Sequence, residues 1–182
     1  MSRKSWTIVA AVVILFVGAY LGSPYWAARQ FREAALSADV DRLDAAVDFP
    51  AVRESLKSQM TVAMTAKMQN DPKLRDNPFA GLGMMMMPAI VGKMVDGFVT
   101  PEGMSALMKR GKLERAGAEP ATDPDIDLSY SYRTLDRFAV ALKSKKEPSR
   151  EPANLVFDRR GLFSWKLIRL ELPLGAPDEP TT

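Results

Sequence analysis

The chain divides by the spacing of its apolar positions. Residues 5–28 carry no charge, and from Trp6 to Leu21 the run is almost continuously apolar. At 1.5 Å per helical residue, about 20 such residues cross a hydrocarbon core of about 30 Å. Beyond it the spacing becomes helical. Ala27, Phe31, Ala34, Ala35 and Ala38 recur opposite Arg29, Arg32 and Glu33, and residues 37–39 end that helix. Val40, Leu43 and Val47 mark a short second helix. Asp48 as cap and Pro50 in the first turn open a third, with Val52, Leu56, Met60 and Ala63 on one face, stopping before Asp71-Pro72.

Residues 79–99 are apolar but irregular, with four glycines, Met84 to Met87 in succession and Pro88. The uncharged stretch from Pro78 to Gly92 is too short and too rich in glycine and proline for a second span. Four adjacent methionines point all around a helix, so we expect the segment to be mobile and partly exposed. Thr100-Pro101-Glu102 then starts another helix, with Gly111 as its expected end.

After residues 119–124, rich in proline and acid, the period falls to two. Ile126, Leu128, Tyr130 and Tyr132 alternate with polar residues, which places Tyr130 in the core. Phe138, Val140 and Leu142 repeat the alternation. Residues 155–157 and 162–172 form a hairpin through Asp158-Arg159-Arg160-Gly161, which has the chemistry of a type I turn. Helices first and strands later predict an α+β fold, with helices on one face of an antiparallel sheet of about four strands. Cystatin-like and NTF2-like cone folds share this order. The expected organisation is a membrane anchor at 1–25 and a domain at 26–174. Its helical part is 26–115 and its sheet 125–172, with a disordered tail at 175–182.

Charge refines the reading of the first segment. Arg3 and Lys4 precede it, which keeps the N-terminus cytoplasmic and exports the domain. Trp6 and the Tyr25-Trp26 pair stand about 30 Å apart along a helix, where interfacial aromatics belong, and Pro24 suits a helix end or bend at the outer edge. A cleaved signal peptide is the other reading, with Val17-Gly18-Ala19 before the cut. Either way the domain lies outside the cytoplasm. The aromatics and the length of the uncharged stretch favour the tethered form.

Composition closes several chemistries. The 182 residues include no cysteine and no histidine, which removes disulfides, Ser-His and Cys-His catalysis and nearly all zinc and haem sites. A net charge of +3, without interleaved aromatic and basic residues, argues against nucleic acid.

The remaining constellations have plain explanations. Met84 to Met87 could suggest Cu(I), but lack the spacing and a histidine, and flexible packing accounts for them better. Asp123, Asp125 and Asp127 lack the later ligands of a calcium loop, where Leu128 and Thr134 stand. Lys143, Lys145, Lys146, Arg150, Arg159 and Arg160 fall in two turns expected at one end of the sheet, as a basic patch or a solvated rim. Tyr130, Tyr132, Arg133 and Trp165 could line a pocket or fill the core. Glu102, Asp136 and Asp158 show no acid–base pairing. No catalytic, cofactor-binding or metal-ligating residue is singled out.

Ser23-Pro24-Tyr25-Trp26, the stretch Val47-Asp48-Phe49-Pro50 through Arg53-Glu54-Ser55-Leu56, Val99-Thr100-Pro101-Glu102-Gly103 and the terminal hairpin together resemble the bacterial domain of unknown function 2939 family. The resemblance spans roughly residues 20–172, and the stretch at 47–56 is its most specific part. It implies a proteobacterial envelope protein and brings no activity or functional residue. The expected function is a membrane-tethered, noncatalytic binding or interaction module facing the periplasm. The alternatives are a cone-fold enzyme using carboxylate and tyrosine, and a protein that contacts lipid. Expected partners are the membrane, through the N-terminal helix, and a lipid or small apolar ligand. No protein partner is indicated.

Overall fold

The computed structural model describes residues 3–70, 80–114 and 126–174. Five helices and four strands follow in order: α1 Arg3–Ser37, α2 Val40–Ala46, α3 Phe49–Asn70, α4 Ala80–Phe98, α5 Pro101–Glu114, then β1 Ile126–Thr134, β2 Arg137–Ser144, β3 Ala153–Arg159 and β4 Trp165–Glu171. The strands form one antiparallel sheet in sequence order, and helices pack against it. The α+β expectation holds. The polar stretch at 71–79, the connector at 119–124 and the tail at 175–182 lie outside the described residues.

Of the two outcomes Pro24 suited, an end or a bend, the end does not occur: α1 runs as one helix for 35 residues. Proline has no N–H, so the Tyr20 carbonyl four residues earlier loses its helical donor. The Ser23 hydroxyl donates to that carbonyl at 2.8 Å and replaces the missing bond. α1 ends as a Schellman motif. The Asp39 N–H donates to Ala34 O and the Ala38 N–H to Ala35 O, both at 3.2 Å, with Ala38 in the left-handed region at φ 54°. α5 continues past Gly111 to Glu114.

One row of side chains organises the core. Tyr132, Phe138, Phe157 and Leu167 are successive partners across β1 to β4, and Val47 adds a parallel bridge beyond Leu167. Phe138, Phe157, Leu167 and Val47 are fully buried, under Phe31 and Ala34 of α1, Leu43 of α2, and Val52 and Leu56 of α3. The α2–α3 junction thus occupies the outer edge of β4, and the Asp48 N–H donates to Leu167 O at 2.8 Å.

The opposite face of the sheet is polar. Arg133 on β1 reaches Glu171 on β4 in a bidentate pair at 2.8 and 2.6 Å, and Arg137 pairs with Asp158 at 2.8 and 3.1 Å. A bridge between the two outer strands requires the sheet to curl concave on this side. Ala139 and Val156, partners on this face, are buried there.

Three sequence expectations change. Tyr130 is 45% exposed rather than core. Its alternation is right, but β1 is the edge strand and the helical layer does not close over its end. Asp158 and Arg159 are strand residues paired with Lys166 and Trp165, so the turn is the loop at 160–164, closed by Arg160 N–H donating to Ser164 O at 2.8 Å. The proposed basic patch does not form. β3 separates the turn at 145–152 from the loop at 160–164 by about 20 Å, at opposite ends of the sheet.

Candidate functional site

Two surfaces combine unusual chemistry with a defined position. The first lies where the sheet meets α1. The Ser23 hydroxyl, already donating to Tyr20 O, accepts from Trp165 Nε1 at 2.8 Å in a buried contact. The Tyr132 hydroxyl donates to the Leu21 carbonyl. Two of the four residues considered for a pocket, Tyr132 and Trp165, are therefore committed to fastening α1. Arg133 is committed to Glu171 on the other face, and Tyr130 leans against Tyr25 with ring centroids 5.5 Å apart.

Arg159 completes this end. Its side chain is 7% exposed, sandwiched with Cζ 3.8 Å from the Tyr20 ring centroid and 4.3 Å from that of Trp165. Its guanidinium donates to Leu135 O at 3.1 Å and to Leu162 O, so one side chain ties the β1–β2 turn to the β3–β4 loop. Nε lies 3.1 Å from Asp136 Oδ1, an ion pair whose angle leaves Nε without a hydrogen bond. Sequence reasoning missed this role because Arg159 was assigned to a turn. A serine preceding a proline within an apolar helix was the available signal.

The second surface is α4. Val91 and Val95 are buried against the core. Met86, Ile90, Met94 and Phe98, each four residues from the last, form an exposed apolar stripe, with Met85 beside it 83% exposed. Asp96 on the same helix holds Lys57 at 2.8 Å and faces Arg53 Nε at 3.7 Å, which fixes α4 to α3. The segment expected to be irregular is a helix with Pro88 inside it.

Among the described residues, the carboxylates singled out in the sequence are each engaged or exposed singly. Asp158 is held by Arg137, Asp136 faces Arg159, and Glu102 is exposed in the first turn of α5. Asp127 pairs with Lys145 at 3.2 Å, while Asp123 and Asp125 lie outside the described residues. No group of three or more potential acidic metal ligands gathers among the described residues.

The motif at 47–56 proves to be a fastening device. Val47 bridges to β4 and Asp48 caps α3 through Ala51 N–H at 3.2 Å. Asp48 also accepts from Arg160 at 2.6 Å, and Phe49, Val52 and Leu56 fill the core. At 99–103, Thr100 caps α5 by accepting from Gly103 N–H at 3.0 Å, and Val99 O accepts from Arg53 at 3.3 Å.

These features define an α+β protein carrying one long apolar N-terminal helix, of the kind an anchor or a signal sequence presents. The chain belongs to the family described as "Protein of unknown function (DUF2939)", which matches residues 13–107. That match covers the later part of the apolar segment and the helices into α5, and stops before the sheet. No curated protein and no solved structure matches the chain.

Proposed function

We propose that this protein is a membrane-tethered, noncatalytic interaction module, with its N-terminus in the bacterial cytoplasm and its domain in the periplasm. The tether is α1. Support comes from its window of mean hydropathy 2.1 with none of that window buried, and from Arg3 and Lys4 before it. Uncut retention is favoured by the aromatics at both ends and by the Phe16 ring contact with Phe163 at 5.8 Å, which a cut after Ala19 would remove while sparing those of Tyr20, Leu21 and Ser23. Those contacts cross the expected domain boundary at residue 25. For the finer fold class, a cystatin-like or NTF2-like cone remains our reading, supported by the helices-then-strands order and the curled sheet.

The observation that carries the binding role is the exposed stripe Met86, Ile90, Met94 and Phe98 on a helix whose other face is fixed in the core. Four apolar side chains at i, i+4 spacing make a ridge about 18 Å long, the surface that seats in a groove between residues of another helix. Methionine adapts to the partner's shape. The occupant we assign is an apolar helix of another envelope protein.

A photo-crosslinking residue at Ile90 of the full-length protein, in cells, tests this against the same residue at the exposed Glu54. A discrete protein adduct at Ile90 alone is expected. A lipid adduct would shift the reading to lipid contact, and equal labelling at both positions would end it.

A further inference from the structure

Along α1, the sheet is fastened deeper than the aromatic positions suggest. Were Trp6 and Trp26 to mark the two interfaces, the hydrocarbon core would include Tyr20 and Phe16, about 9 and 15 Å below Trp26. Both touch the domain. Tyr20 stacks on Arg159, and the Phe16 ring meets Phe163 edge-on at 5.8 Å. With the interface instead at Tyr20, only about 21 Å of helix separates it from Trp6, well short of a 30 Å core. A domain held wholly in water therefore leaves the span too short.

The end of the sheet that descends along α1 is built for the shortfall. Tight turns are ordinarily polar, yet the β1–β2 turn presents Leu135 and the β3–β4 loop presents Leu162 and Phe163, all exposed, with Leu162 at 62%. The cations behind them are engaged. Arg159 is stacked and ion-paired, Arg160 meets Asp48 at 2.6 Å, and Arg137 is paired with Asp158. Apolar tips with arginines and aromatic rings together behind them, Arg159 standing opposite its strand partner Trp165, is the makeup of an interfacial belt. The turn at the opposite end of the sheet carries Lys145, Lys146, Glu147 and Arg150 and no large apolar side chain, with exposed Leu172 and Leu174 following β4 nearby.

We infer that Leu135, Leu162 and Phe163 form a lipid-contacting foot that enters the outer leaflet beside α1, so that the domain sits in the headgroup layer rather than above it. The inference rests on α1 being a retained membrane span and is independent of any partner at α4.

The test uses the full chain, whose lack of cysteine makes an introduced thiol unique. Leu162→Cys and, at the far end of the sheet, Ser149→Cys are each labelled with an environment-sensitive fluorophore. The proteins are reconstituted into vesicles of phosphatidylethanolamine and phosphatidylglycerol containing lipids with a nitroxide high on the acyl chain. Both positions are exposed, and matching circular dichroism confirms that both variants fold. The label at 162 is expected to shift to the blue and to be quenched several-fold more than the label at 149. Equal quenching at the two positions, whether strong or weak, overturns the foot. Protease-accessible N-terminal tags that show α1 does not span the vesicle would overturn the tether instead, which separates the two failures.

Discussion

α1 and α4 are both apolar helices with an internal proline, yet the domain treats them oppositely. The C-terminal half of α1 is fixed by directional contacts: Trp165 to Ser23, Tyr132 to Leu21 and Arg159 over Tyr20. α4 is held by Val91, Val95 and the exposed Asp96 pairs, and its other face stays open. Apolar burial is non-directional, so it selects a face without setting depth or rotation. Buried hydrogen bonds set both, because a misplaced donor is left unpaired. Two apolar helices thus end up fastened in one place and presented in the other.

The sharpest way to break this contrast is Trp165→Ala. It removes a buried ring and the donor to Ser23, and should cost about 4 kcal/mol in denaturant unfolding of the detergent-solubilised protein. A loss under about 1 kcal/mol would mean that α1 is not fastened there. Gly103→Ala comes next, at the α4–α5 corner. Its Cβ would lie 2.3 Å from the Phe98 carbonyl oxygen, a backbone atom that cannot swing aside, so a loss of about 2 kcal/mol is expected in the same measurement.

Directional contacts also govern the polar face of the sheet. Hydrogen bonds from Arg133 hold the Glu171 carboxyl below the usual glutamate range. Because that pKa is lower folded than unfolded, the stabilisation is complete above the unfolded glutamate range and fades as pH falls through the folded value. Glu171→Gln should remove about 1 kcal/mol near neutral pH, solvent screening of a partly exposed pair included, and should flatten the acid limb of stability against pH. An unchanged acid limb would show that the bridge across the sheet contributes nothing. The smallest effect is predicted at α4. Met86→Ser with Ile90→Ser should change stability by no more than about 0.5 kcal/mol, and a larger loss would mean that the stripe is covered within the domain.

Period and capping chemistry carried the architecture well. The period-two runs became β1 and β2, Asp71-Pro72 follows the end of α3, and Thr100 caps α5. What sequence could not carry was position across the sheet. Alternation says which face Tyr130 takes, but its exposure depends on β1 being an edge strand, a property of pairing order. The basic patch failed for a simpler reason: its two turns flank a single strand, β3, which puts Arg159 and Arg160 at the opposite end from Lys145 in any register. Pro24 does not end the helix because a serine hydroxyl next to it makes the bond that its ring nitrogen cannot. The open face of α4 was anticipated from simple counting, since four consecutive methionines cannot share one side of a helix.

The unbroken course of α1 has a mechanical consequence. A domain hung from a flexible linker samples every orientation its tether allows, and the facing surfaces of two such domains meet only in passing. Here the rod that would cross the bilayer is also a structural member of the domain, one continuous helix over residues 3–37 that the sheet grips on both sides of Pro24. Any tilt or rotation of the rod is handed to the domain undiminished. The methionine stripe would then sweep a narrow arc at a fixed height, and a neighbour in the same plane would encounter it at high effective concentration and in one orientation.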